Sequence, residues 1–101
     1  MKQFRGFPSR MQFTAIPNLF FSALLPQIDD ITELKVILHF FEMLYPKRGY
    51  PRFVTYHELL SNKSLMTSLR QTTKPPDELL REALQKATRG GVILHVALER
   101  D

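Results

Sequence analysis

The 101 residues contain no cysteine, no tryptophan and only four glycines. Without cysteine there is no disulfide framework, no thiol nucleophile and no thiolate-held zinc. A reducing compartment is the natural setting, and the chain reads as cytoplasmic. Long apolar runs are missing too: the best, Phe13 to Leu25, is interrupted by Pro17 and Asn18, short of the roughly 18 residues that a membrane span needs. A basic start before that run has the outline of a signal peptide, yet no A-x-A-like cleavage site follows it. A glycine-rich phosphate loop is also absent. Gly90-Gly91 follows a helical pattern, whereas a phosphate cradle precedes one.

What is present describes one globular domain. Hydrophobic residues make up 44% and charged residues 24%, values that exclude a disordered or rod-like chain. The net charge of +4 is unevenly placed: residues 1–10 carry +3, residues 29–42 carry −3, residues 47–74 carry +5 and residues 77–101 carry −1. A basic balance of this size suits an anionic partner such as nucleic acid.

Residues 1–12 are basic and aromatic, with Gly6 and Pro8, and read as an irregular arm ahead of a domain over 13–101. Pro17 opens a short helix that should stop before Pro26. Asp29 or Asp30 can cap a helix from Ile31 to about Tyr45, with an apolar stripe at Ile31, Leu34, Leu38, Phe41 and Tyr45. Val36, Ile37, Phe40 and Leu44 widen that stripe, so the helix is either central to the core or shared with a partner. Phe53-Val54 is a short extended segment. Thr55 and Glu58 form a capping box for helical turns reaching about Arg70. Pro76 suits the first position of a last helix, to about Thr88, with Leu79, Leu80, Ala83, Leu84 and Ala87 inward. Gly90-Gly91 stops it, and residues 92–98 read as a strand that must pair with Phe53-Val54. Alternation along it would bury Val92, Leu94, Val96 and Leu98 against Leu80 and Leu84, with His95 on the wetter side.

This order of elements is that of a winged helix, an α+β, mostly helical fold with a small β-wing. The segments Phe13-Thr14-Ala15-Ile16-Pro17-Asn18-Leu19-Phe20 and Ile31-Thr32-Glu33-Leu34-Lys35-Val36-Ile37-Leu38, with Leu79-Leu80-Arg81-Glu82-Ala83-Leu84 and Gly90-Gly91-Val92-Ile93-Leu94, resemble the N-terminal domain of DnaD-like bacterial replication-initiation (primosome) proteins. The resemblance covers roughly residues 13–98. It implies a module that self-associates and contacts replication-initiation proteins, while a separate C-terminal domain supplies much of the DNA binding. The segment Lys63 to Pro76 is longer than the tight turn usual between the two helix-turn-helix helices. The chain stops just after the first wing strand, so it reads as a piece of a longer protein.

Enzymatic signals are weak. His39, His57 and His95 fall in three different elements and give no metal-ligand set. Asp29-Asp30 and Asp77-Glu78 lie where helix N-termini favour negative charge. No catalytic residue, cofactor or metal is expected. The loop Lys47-Arg48-Gly49-Tyr50-Pro51-Arg52 is a candidate phosphate clamp, and Lys47, Arg48, Arg52, Arg81, Lys86 and Arg89 form the candidate set for weak binding of duplex or single-stranded DNA. The first turn of the last helix is acidic, which argues against direct base reading by that end. Phe4, Phe7, Phe13, Phe20, Phe21 and Phe40 form the candidate set for self-association, with residues 4–25 and the helix over 31–45 as the interface of a homo-oligomer. The alternative function is a winged-helix DNA-binding transcriptional regulator. No membrane partner is expected.

Overall fold

The computed structural model describes residues 3–49, 52–70, 73–89 and 97–99. Asp30 lies in extended backbone, and its carboxylate accepts a hydrogen bond from the Thr32 N–H at 3.1 Å. This cap starts α1, Ile31–Leu44, by satisfying one of the donors that every helix N-terminus leaves unpaired. The buried face of α1 is made by Thr32, Glu33, Val36, Ile37 and Phe40. That corrects the phase expected from the stripe at Ile31, Leu34, Leu38, Phe41 and Tyr45. With apolar residues almost all round the helix, the sequence offers no polar marker of its outer face, and tertiary packing chooses between two stripes.

Ahead of α1 the chain makes a π-helical turn over Phe20–Leu24 and a 3-10 turn over Leu25–Gln27. The turn therefore passes through Pro26, where a stop was expected, because Pro26 sits at its start and needs no N–H there. Phe20 is buried and meets the Phe41 ring edge-on at 5.6 Å.

After α1 comes β1, Phe53–Thr55, and then α2, Tyr56–Ser61. The capping box is complete: the Glu58 N–H donates to Thr55 Oγ1, and the Thr55 N–H donates to Glu58 Oε1, both at 2.9 Å. Asn62 then breaks the helical run and caps α3, Lys63–Ser68, by accepting from the Leu65 N–H at 2.8 Å. The last helix, α4, is Pro76–Arg89, with Pro76 at its first position.

The second strand, β2, is Ala97–Glu99 and pairs with β1 in parallel, Phe53 opposite Ala97, Val54 opposite Leu98 and Thr55 opposite Glu99. A parallel pair requires a long crossover, here α2, α3 and α4. The expected partner of Phe53-Val54 is therefore found at the C-terminal end of the expected strand. The Gly90-Gly91 stop, Val92 to Val96, and the exposure of His95 lie outside the described residues.

The core joins Phe20, Val36, Ile37 and Phe40 to Val54, Leu59, Leu65 and Leu69, and closes with Leu79, Leu80, Ala83, Leu84 and Ala87 of α4. All five α4 residues are those expected to face inward. Among the described residues the architecture is mostly helical with two short strands, an α+β arrangement. Among the described residues no helix is long and apolar enough to cross a membrane.

Candidate nucleic-acid and self-association surfaces

Two of the six candidate cations are committed inside the fold. Lys47 Nζ lies 2.5 Å from Glu58 Oε2, so it clamps the acid that caps α2. The Lys47 ammonium, followed by the Thr55 N–H, holds the Glu58 carboxyl below its ordinary pKa. Lys86 Nζ lies 2.7 Å from Asp30 Oδ2 and ties α4 to the cap of α1. That contact lowers the Asp30 pKa and raises that of Lys86. Both lysines remain partly exposed, so each ammonium keeps donors free beside its carboxylate. Arg48, Arg52 and Arg81 are exposed and make no ion pair among the described residues. Arg89 ends α4, and its side chain lies outside the described residues, as do Tyr50 and Pro51 of the basic loop.

The six do not form one patch. Lys86 is bonded to the residue before α1, and Lys47 follows its C-terminal end. At 1.5 Å per residue the helix between them is roughly 20 Å long. Lys47 and Lys86 therefore stand at opposite ends of α1.

Lys63 and Arg70 were not in the candidate set, although they belong to the +5 block over 47–74. With Met66, Thr67, Pro76 and Asp77 they line an open cleft of about 540 Å³ between α3 and the start of α4. Charge counting by block was the signal that could have found them. Lys74 is spent on Glu82, at 2.9 Å.

The joint between α1 and α3 uses the remaining polar side chains. His39 Nδ1 lies 2.8 Å from the Lys35 carbonyl oxygen, so it carries the proton and donates. Nε2 then accepts from the Ser64 hydroxyl at 3.3 Å. Lys35 Nζ donates to the Ser68 carbonyl at 2.9 Å. His57 is exposed and His95 lies outside the described residues. Among the described residues no group of three His, Asp or Glu side chains is placed to hold a metal ion. Glu33 is buried in the first turn of α1, and desolvation, then the Asp30 charge, raises its pKa.

The six candidate phenylalanines divide. Phe20 and Phe40 are core residues, which removes them from any surface set: each is enclosed by its own chain and has no face left for a partner. Phe4, Phe7, Phe13 and Phe21 are exposed. On α1 the stripe that the core does not take remains at the surface, with Ile31, Leu38 and Tyr45 exposed to 60, 37 and 49%. Leu34 and Phe41, between them, are partly buried.

No family model, no curated protein and no solved structure matches the chain.

Proposed function

We propose that the chain is a winged-helix assembly module of the DnaD-like replication-initiation kind, which pairs with a second copy of itself and contacts replication proteins or DNA. The observation that carries the reading is the outer stripe of α1. Ile31, Leu34, Leu38, Phe41 and Tyr45 alternate in steps of three and four, the a/d spacing of helices that pack knobs into holes. At 100° per residue this stripe is turned by roughly 135° from the buried one. The helix therefore serves a core on one side and offers an apolar seam on the other. A seam on a single helix is self-complementary about a two-fold axis, the commonest symmetry of homo-oligomers. Phe21 and Leu19, exposed beside buried Phe20, add apolar surface from the preceding turn.

The element order α1, β1, two short helices, α4 and a final strand supports the winged-helix assignment, whereas the parallel direction of the β1–β2 pair is not that of an antiparallel wing. The regulator alternative would put α4 into a DNA groove by its first turn. That turn carries Asp77 and Glu78, which phosphates repel, so the assembly reading is favoured. Arg48 and Arg52 supply the weaker DNA contact in either case.

Sedimentation of the full chain over a concentration series tests the seam. The expected result is a reversible dimer or larger species that Ile31→Glu with Leu38→Glu converts to monomer. Both positions are exposed, so the folded far-UV signal is retained. A chain that stays monomeric at the highest concentration reached overturns the seam.

A further inference from the structure

The arm over residues 3–15 is used by neither the core nor the α1 seam. Ile16 is the first hydrophobic residue packed against the core. Phe4, Phe7 and Phe13 are exposed to 68, 75 and 75%. Arg5 and Arg10 are exposed among them, and the sequence has no acid before Asp29. Gly6 takes a φ of +94°, a conformation that side chains rarely adopt. The bend brings the Phe4 and Phe7 rings together edge-on, with centroids 4.9 Å apart. The described part of the arm has no helix or strand.

We propose that this arm binds single-stranded nucleic acid, with the phenylalanines stacking on unpaired bases and the arginines pairing with phosphates. Aromatic rings interleaved with cations are what a flexible, sequence-tolerant single strand requires, since every base has a π-face and every linkage a charge. A duplex hides its base faces in its own stack and would meet only the two arginines. A bilayer is the poorer occupant, because the arm's backbone N–H and C=O groups are not paired in a helix and would be costly to bury in lipid. A second arm is poorer still, since it brings the same positive charge. The inference rests on neither the DnaD-like reading nor the α1 seam.

The test is fluorescence anisotropy of the full chain with a labelled thymidine oligomer of about 16 nucleotides at low salt. Binding is expected, and replacing Phe4, Phe7 or Phe13 by Ala weakens it about 5- to 150-fold for each ring that stacks on a base. The matching Tyr variants, which keep a ring to stack, retain the affinity. Arg5→Gln with Arg10→Gln lowers the salt slope by up to about 1.4. The same oligomer annealed to its complement binds more weakly, and the Ile31→Glu, Leu38→Glu chain still binds the single strand. The thermal midpoint is unchanged by the arm variants, which touch no core residue. Absence of binding, equal affinity for the duplex, or full affinity in the triple Phe→Ala chain overturns the proposal. So does arm-dependent binding to anionic vesicles without binding to the oligomer, which assigns the arm to lipid. Loss of the sedimenting oligomer in the triple Phe→Ala chain, with no change in oligonucleotide affinity, assigns it to a second copy.

Discussion

Helices α1 and α4 are each 14 residues long and pack against one another, yet the sequence describes them unequally well. In α4 the polar residues Asp77, Glu78, Arg81, Glu82, Gln85 and Lys86 mark the outside, and the five leucines and alanines of the helix are the ones the core buries. In α1 polar residues are few, and two apolar stripes compete for the core. The inner one wins through Val36, Ile37 and Phe40, and of the outer one Ile31, Leu38 and Tyr45 are left to solvent. A polar face is a negative instruction, and where it is missing the phase of a helix is decided by its neighbours. An excess of apolar residues over what one core can take is the ground on which self-association is proposed.

The comparison breaks most visibly at two positions of α1 that lie two residues apart. Phe40→Ala removes a ring exposed to only 1% and should cost about 3–5 kcal/mol by denaturant unfolding. Leu38→Ala, on the outer stripe, should cost less than about 1.5 kcal/mol in the monomer and weaken self-association instead. Equal losses of monomer stability at the two positions would mean that α1 has no outer stripe.

On α4 the same contrast should follow the printed pattern of the sequence. Leu80→Ala, at a position with no exposure, should lose about 2–5 kcal/mol, while its neighbour Arg81→Ala stays within about 0.5 kcal/mol of the parent. An Arg81→Ala loss approaching that of Leu80→Ala would show a role for the guanidinium that exposure does not reveal.

Local chemistry was legible wherever a signal is short-range. The Thr55/Glu58 capping box, Pro76 at the start of α4 and the alternatives Asp29 or Asp30 for the cap of α1 could each be read from three or four residues, and Asp30 is the one used. What needed the fold was long-range: the Lys86–Asp30 and Lys47–Glu58 pairs join residues 56 and 11 positions apart. They give two lysines of the candidate DNA set a carboxylate partner that no window of sequence contains. The parallel register of β1 and β2 is of the same kind. Phe20 and Phe21 show the limit at a single residue. Adjacent and identical, one is core and the other surface, and only the turn geometry separates them.

A smaller effect sharpens the comparison at the caps. Thr55→Ala removes one half of the capping box of α2 and should cost about 1 kcal/mol. The loss should show in thermal unfolding without any change in oligomeric state, because Thr55 belongs to neither the seam nor the arm. A change in sedimentation with this variant would tie α2 to the interface after all.

The smallest effect expected is a pair of opposite pH dependences at the start of α1. The Lys86 contact lowers the Asp30 pKa in the folded chain. Its contribution is therefore fully present above the unfolded value of about 3.9 and is lost as pH falls through the lower folded value. Asp30→Asn keeps a competent cap but loses the charge, so it should be less stable than the parent at neutral pH and equal to it in strong acid. Glu33 is opposite in sign. Burial raises its folded pKa, so the stability it contributes is complete below the unfolded value of about 4.3 and disappears as pH rises through the folded one. Glu33→Gln should accordingly gain stability over the parent at neutral pH, and the gain should vanish in acid. Two carboxylates three residues apart would then move the unfolding free energy in opposite directions over neighbouring pH ranges. Parallel shifts of the two variants across a pH series of denaturant midpoints would show that the first turn of α1 responds to its total charge, and not to the separate surroundings of Asp30 and Glu33.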